Sequence, residues 1–152
     1  MKQLYSYDAN GDVISVNYNG TEYYYLRNSQ NDVVGLMDGS GTRVVEYTYD
    51  KLISTTGTLA TSLGADNPFR YRGYYYDTET GLYYLMTRYY DPEVCRFISA
   101  DVYMTTGQGV LGGNMWAYCL NNPVLYSDTF GESVTVCILG VNLPSLNCLL
   151  LV

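Results

Sequence analysis

The side chains best suited to chemistry in this sequence are two aspartates and the arginines that flank them. The chain contains no histidine, which excludes Ser-His-Asp and Cys-His catalysis and histidine-ligated zinc. Carboxylates remain as the route to acid–base catalysis at neutral pH. Two carboxylates held close together cannot both ionise easily, so one keeps a proton while the other activates water. Asp91 and Asp101 are the candidates for such a pair, and Arg88 and Arg96 flank them.

The local sequence predicts that a tight reversal brings the two aspartates to the same end of a sheet. Asp91 ends a tyrosine-rich strand because the following Pro92 cannot continue the ladder, and residues 96–101 form the next short strand. A flanking arginine would then tune the pKa values of the pair or stabilise a developing oxyanion. A structural alternative stays open, since Tyr-Asp-Pro is an ordinary turn sequence and aspartate–arginine pairs are frequent in structural networks.

The composition of the chain predicts an all-β fold in a single domain. Its 152 residues include 19 tyrosines but 3 phenylalanines and 1 tryptophan, and tyrosine favours strands, where it buries a large ring and keeps a polar tip. Turn-forming residues separate the predicted strands, above all Asn19-Gly20, which favours a two-residue type I′ hairpin, and residues 38–41. We therefore expect antiparallel hairpins, a surface loop over residues 54–67 and little helix outside residues 115–120.

Several classes of site and partner are disfavoured by what the sequence lacks. The net charge of −7 argues against a nucleic-acid partner, because phosphates must be neutralised by clustered lysine and arginine. No metal or cofactor is expected, since the cysteines form no CxxC pair and residues 8–12 do not continue with the spacing of a calcium loop. We interpret the cysteines as free, mostly buried thiols. They are Cys95, Cys119, Cys137 and Cys148.

Neither end of the sequence predicts a membrane segment. The first residues contain no apolar stretch of the kind that a signal peptide has. Residues 133–152 are apolar and uncharged, but Asn142 and Pro144 interrupt the run of about 20 apolar residues that a membrane-spanning helix requires. We interpret this tail as a peptide to be buried or released.

Four ordered segments of the tyrosine-rich block resemble the core of Rhs-repeat-associated proteins, which are built from tyrosine–aspartate (YD) repeats. The segments are Arg72-Gly73-Tyr74-Tyr75-Tyr76-Asp77, Glu79-Thr80-Gly81-Leu82-Tyr83-Tyr84, Arg88-Tyr89-Tyr90-Asp91-Pro92 and Arg96-Phe97-Ile98-Ser99-Ala100-Asp101. The resemblance spans roughly Tyr7 to Gly131. It implies antiparallel hairpins that form a spiral β-sheet shell. The implied divisions are YD-repeat hairpins (1–53), a loop (54–68), the Rhs core (69–131) and a variable C-terminal tail (132–152).

The same resemblance implies a function. In this family a hollow β-shell encloses a toxin, and aspartyl self-cleavage in the core frees the C-terminal segment. Carried over to this sequence, Asp91 and Asp101 become the catalytic pair and Arg88 becomes the supporting cation. The implied cut lies just after Gly131, with Glu132–Ser133 as the preferred bond. The cleavage segment comprises Asp128, Gly131, Glu132 and Ser133.

Four positions around this cutting apparatus depart from the family pattern. Thr129 and Glu132 stand where the family has proline and leucine, Cys95 replaces a glycine in the turn between the two proposed catalytic aspartates, and Val102 replaces a proline. A cysteine adopts the positive φ of such a turn only with strain. We therefore expect cleavage to be slow or lost.

The implied partners are the remainder of an Rhs shell or an encapsulated C-terminal toxin. The delivery system to which such shells belong would place the protein outside the cell or at its surface. Because the segment after Glu132 is too short for a folded enzyme, we expect the C-terminal end of a shell. It would be either the product of a truncated, orphan or rearranged gene or a fragment whose toxin is missing.

A second class of function stays open. Rows of tyrosine rings can stack on sugars, which would make the chain a carbohydrate-binding or cell-surface structural β-repeat module that recognises glycans. Packing is the preferred interpretation of these rows, because cross-strand aromatic pairs themselves stabilise a sheet.

Overall fold

The computed structural model describes residues 3–49, 53–102, 113–138 and 141–143, and for residues 137, 138 and 141–143 it describes the backbone alone. The side chain of Cys137, residue Cys148 and the end of the predicted tail therefore lie outside the description. The described residues are mainly antiparallel strands, which confirms the all-β prediction. They fall into two compact units, Met1–Tyr74 and Tyr75–Val152. The second unit begins inside the block that the sequence analysis assigned to the core. None of the described helices is long and apolar enough to cross a membrane.

The first unit contains a meander of six strands in which each strand pairs with the next along the chain. The strands are β1 (Gln3–Tyr7), β2 (Val13–Tyr18), β3 (Thr21–Arg27), β4 (Val33–Met37), β5 (Arg43–Tyr49) and β6 (Ile53–Thr56). Asn19 and Gly20 have φ values of 52° and 93° and join β2 to β3, with Tyr18 opposite Thr21. The predicted hairpin at this dipeptide is confirmed, because both central residues need positive φ.

One type of turn recurs in three other connections of the meander, at Asp8, Asn28 and Asp38. In each turn the side-chain oxygen Oδ1 of the first residue accepts hydrogen bonds from the backbone N–H groups two and four residues later, at 2.8 to 3.0 Å. The backbone N–H of the same first residue donates to the carbonyl four residues on. These bonds satisfy the backbone groups that the strands leave unpaired. The three connections therefore share one turn chemistry.

The core of the first unit includes a residue from the segment that was predicted to be a surface loop. Residues 54–67 contain the end of β6 and a single helical turn, α1 (Leu63–Asp66). Leu63 is fully buried against Val45 and Leu36, which explains why this segment is ordered. Asn67 follows α1 and accepts a hydrogen bond of 2.6 Å from the hydroxyl of Tyr25. Burial also raises the pKa of Tyr25, which favours its neutral, donating form.

The second unit contains a four-stranded sheet in the order β10-β9-β8-β7 and a three-stranded sheet of β11 to β13. The strands are β7 (Tyr75–Asp77), β8 (Leu82–Leu85), β9 (Arg88–Asp91), β10 (Arg96–Phe97), β11 (Tyr126–Ser127), β12 (Thr135–Ile138) and β13 (Val141–Leu143). Residues alternate along β8 and β9, so that Tyr83, Leu85 and Tyr90 are buried while Tyr84 and Tyr89 are exposed. The segment 115–120 contains only the start of a short 3-10 helix, Cys119–Asn121.

Candidate functional site

Two carboxylates converge on one arginine at the start of β9. Strand alternation turns Arg88 toward the buried face of the sheet, where its side chain is 6% exposed. Its Nη2 atom lies 3.0 Å from Oδ2 of Asp101 and 3.3 Å from Oδ2 of Asp128. A buried cation between two carboxylates offsets their mutual repulsion and the cost of removing them from water.

The remaining nitrogens of this guanidinium bind the backbone of two distant segments. Nη1 of Arg88 donates to the carbonyl of Met115 at 3.0 Å, and Nε donates to the carbonyl of Gly131. The ring of Phe97 covers one face of the guanidinium, with its centroid 3.6 Å from the central carbon. The planar fork is therefore held by partners on several sides, and its orientation is fixed.

Asp128 differs from Asp101 in how deeply it is buried. Its side chain is 1% exposed, whereas that of Asp101 is 16% exposed. Burial raises the pKa of Asp128 above its usual value, although the Arg88 guanidinium and the nearby backbone N–H groups oppose the shift. Burial of Asp128 thus favours the protonated form of its carboxyl group.

The segment that follows Asp128 folds back over the Asp128 side chain. Oδ1 of Asp128 accepts hydrogen bonds from the backbone N–H of Glu132 at 3.1 Å and of Ser133 at 3.3 Å. Between them and Asp128, Gly131 adopts a φ of 73°, a conformation that favours glycine. A cut at Gly131–Glu132 releases the nitrogen of Glu132, and a cut at Glu132–Ser133 releases the nitrogen of Ser133. Both nitrogens therefore lie beside the same carboxyl oxygen of Asp128.

The structure brings together Arg88 and Asp101 with the whole predicted cleavage segment, but it places Asp91 elsewhere. Oδ1 of Asp91 accepts a hydrogen bond of 2.8 Å from the backbone N–H of Glu93 and so stabilises the turn after β9. Asp91 is an odd number of residues from Arg88 on the same strand, so its side chain faces the opposite side of the sheet. Arg96 is exposed and lies opposite Asp91 in the ladder.

From the sequence, Asp128 is predicted only as part of the cleavage segment and is not paired with Asp101. Asp128 lies 40 positions from Arg88, and no local pattern connects the two residues. The sequence did contain a signal against Asp91 as a partner of Arg88, because the two residues are three positions apart on one strand. In β9 an inward-facing Arg88 requires an outward-facing Asp91.

Nothing in the described part of the chain forms a group of three or more metal-ligating side chains. A metal ion bound by both Asp101 and Asp128 would need the position that the Arg88 guanidinium occupies. Of the described cysteines, Cys119 is buried and Cys95 is exposed. Cys95 has a φ of 56°, the left-handed conformation that the turn before β10 requires.

Comparisons with known proteins agree with this architecture. The profile of the family described as Teneurin YD-shell matches residues 1–122. Over 130 residues the chain is 42% identical to the tRNA3(Ser)-specific nuclease WapA of Bacillus spizizenii, which covers 86% of this chain and 6% of WapA. It is 41% identical over 73 residues to Toxin protein Tse5 of Pseudomonas aeruginosa, covering 48% of this chain and 5% of Tse5.

Solved structures show the same fold. The crystal structure of TcdB2-TccC3 superposes with a TM-score of 0.67 at 25% sequence identity, covering 85% of this chain and 6% of that chain. The pore of the Photorhabdus luminescens Tc holotoxin gives the same TM-score, 0.67, at 21% identity. The chain thus spans a small part of the length of each of the proteins that it matches.

Proposed function

This chain belongs to the teneurin YD-shell family and is an Rhs-type shell segment related to toxins, and on that premise we propose that it cleaves itself between Glu132 and Ser133. The observation that carries the proposal is the position of Asp128. Its carboxyl group contacts the same Arg88 guanidinium as Asp101. It also accepts a hydrogen bond from the backbone N–H of Ser133, whose nitrogen leaves in such a cut.

The chemistry assigns a different task to each carboxyl group. Asp101, the more exposed of the two, acts as the base that takes a proton from a water molecule. The resulting hydroxide attacks the carbonyl carbon of Glu132. Asp128 donates its proton to the nitrogen of Ser133 as the peptide bond breaks, which leaves a new carboxylic acid at Glu132 and a new amine at Ser133. Asp101 ends the reaction protonated and Asp128 ends it ionised.

Arg88 has a positioning task in this scheme. It keeps both aspartates on one side of the cleavage segment and fixes the carbonyl of Gly131, which immediately precedes the residue attacked. Holding the reacting groups in place replaces an unfavourable encounter by a preformed geometry. Because the guanidinium cannot lose its charge at neutral pH, it also limits how far burial raises the pKa of Asp128.

This reaction would release the segment that begins at Ser133. The relatives named above are nucleases and toxins that are far longer than this chain. We propose that the chain is the part of such a shell that borders the released segment. Its partners would be the rest of the shell and a C-terminal toxin, and its site of action would be outside the cell or at its surface.

We predict that the purified chain accumulates a product whose first residue is Ser133. The cut is expected to be slow, because Thr129 and Glu132 replace the residues that the family pattern has at these positions. Intact-mass spectrometry after incubation for several days, with N-terminal sequencing of the new fragment, reports the cut and its position together. A fragment that begins at Glu132 would move the reaction to the Gly131–Glu132 bond, and an unchanged mass would overturn the proposal.

A second candidate function rests on a row of exposed tyrosines in the second unit. Tyr75, Tyr84 and Tyr89 are 47%, 41% and 40% exposed and lie directly opposite one another on β7, β8 and β9. The rings of Tyr84 and Tyr89 are 5.0 Å apart between centroids. The buried face of the same strands carries Tyr83 and Tyr90. The strands thus have tyrosines that pack on one face and tyrosines that are open to a ligand on the other.

If this row binds a glycan, we predict saturable binding to a defined oligosaccharide on a glycan array. Tyr84→Ala removes the central ring and is expected to weaken that binding at least tenfold. Tyr24→Ala is the matched control, because Tyr24 is comparably exposed but belongs to the first unit. Absence of binding, or equal loss in both variants, would remove this candidate.

A further inference from the structure

We infer that the tip of the β8–β9 hairpin, residues Leu85 to Arg88, selects the bond that is cut, with Thr87 as a positioning residue. This inference rests on the proposed self-cleavage and goes beyond it. It assigns a task to a residue that is outside the carboxylate pair and was not among the predicted site residues. The tip is called the hairpin clamp below.

The conformation of the hairpin clamp directs the Thr87 hydroxyl toward the cleavage segment. Leu85 pairs with Arg88, so Met86 and Thr87 form a two-residue connection. Met86 has a φ of 62°, and the backbone N–H of Thr87 donates to the carbonyl of Leu85 at 2.7 Å. The side chain of Met86 is exposed, whereas Oγ1 of Thr87 donates to the carbonyl of Phe130 at 2.7 Å.

The hairpin clamp therefore binds two consecutive carbonyls of the cleavage segment. Thr87 holds the carbonyl of Phe130, and Arg88 holds the carbonyl of Gly131 through Nε. Oδ1 of Asp128 accepts hydrogen bonds from the amides of the next two residues. The backbone from 130 to 133 is thus bound at each successive position, which fixes the Gly131–Glu132 and Glu132–Ser133 bonds beside Asp128.

The hairpin clamp also restricts position 131 to glycine. A β-carbon at position 131 would lie 2.7 Å from the carbonyl oxygen of Leu85 and 2.8 Å from Oγ1 of Thr87. Both distances are shorter than van der Waals contact, and the positive φ of Gly131 disfavours any side chain in addition. A shift of the segment by one residue would bring Phe130 or Glu132 into this position, so only one register fits.

The test uses Thr87→Val, which keeps the shape but lacks the hydroxyl, and Thr87→Ser, which keeps the hydroxyl. Loss of one hydrogen bond is expected to slow cleavage about fivefold in the valine variant. Weaker control of register should also give a second product that does not begin at Ser133. Thr87→Ser is expected to cut at the wild-type rate and site. Because Thr87 is exposed, melting temperatures should stay close to that of the wild type.

A second measurement does not depend on cleavage. In an Asp101→Asn background, which is expected not to cut, hydrogen exchange reports the protection of the amides of Glu132 and Ser133. Thr87→Val should accelerate their exchange several-fold and Thr87→Ser should not. Equal exchange in all three proteins would overturn the inference. The wild-type chain could remain uncut while Thr87→Val accelerates exchange of the Glu132 and Ser133 amides. That result would contradict the proposed cleavage but support the hydrogen bond of Thr87 as the contact that positions the segment. A valine variant that cuts at the wild-type rate to one product would also overturn the inference.

Discussion

Replacing Asp128 with asparagine is expected to abolish self-cleavage while leaving the two antiparallel sheets of the second unit intact. The amide cannot donate a proton to the nitrogen of Ser133 in the way that a carboxylic acid can, and loss of a general acid typically costs a factor of about 10² to 10⁴ in rate. Asp101→Asn should have the same effect, because it removes the base. A time course of intact mass measures the rate, and circular dichroism verifies that each variant is folded.

Asp91→Asn is the matched control for these two variants. Asp91 is a half-buried aspartate on the same strand as Arg88, but its carboxylate stabilises a turn and does not contact the arginine. Asparagine also accepts a hydrogen bond from the backbone N–H of Glu93, so the turn should persist. Cleavage in Asp91→Asn is therefore expected at the wild-type rate. Loss of cleavage in Asp91→Asn, with activity retained in Asp128→Asn, would restore the pair that the sequence suggested.

Replacing Arg88 with alanine is expected to destabilise the second unit by about 3 to 5 kcal/mol, because it leaves two carboxylates at a largely buried position without their cation. The guanidinium also fills space against Phe97. Denaturant unfolding, followed by circular dichroism, measures the loss. Arg96→Ala is the control in the same sheet. Arg96 is exposed, so its removal should change the free energy of unfolding by less than about 0.5 kcal/mol. Similar losses in both variants would contradict the central position of Arg88.

The cost of Arg88→Ala should depend on pH in a definite direction. The pKa of Asp128 is raised above its usual 3.8 in the folded chain, so the folded state binds this proton more tightly than the unfolded state. The stability that this proton contributes is fully present below about pH 3.8 and is lost as the pH rises through the raised pKa. Arg88 lowers that pKa, and its removal raises it further. The penalty of Arg88→Ala should therefore be larger at neutral pH than in acid.

The hairpins of this protein could be predicted because their causes are local. Asn19-Gly20 accepts positive φ at both positions and closes β2 on β3, whatever the rest of the chain does. The turn residues 38–41 likewise lie between β4 and β5. Alternation with a period of two then separates the faces of each strand. The same local reasoning missed α1, because a four-residue helix is held by the burial of Leu63 and by no pattern of its own.

The residue types of the site were also determined by the sequence. Because the chain has no histidine, carboxylates and arginines are the side chains left for a reactive centre. The sequence therefore predicts site residues that include Arg88, Asp101 and the segment from Asp128 to Ser133. Asp101 and Arg88 were candidates because of their residue types and positions, whereas the cleavage segment followed from the resemblance to the Rhs core.

Only the tertiary structure decided which two carboxylates share Arg88. Asp91 is three residues away in sequence but faces the other side of β9, whereas Asp128 is 40 positions away and lies 3.3 Å from Nη2. The physical reason is that strand alternation is a local property, while contact between β9 and the segment after β11 depends on how the chain packs between them. The preference of Asp128 for a proton has the same origin, since it comes from burial that no neighbour in the sequence predicts.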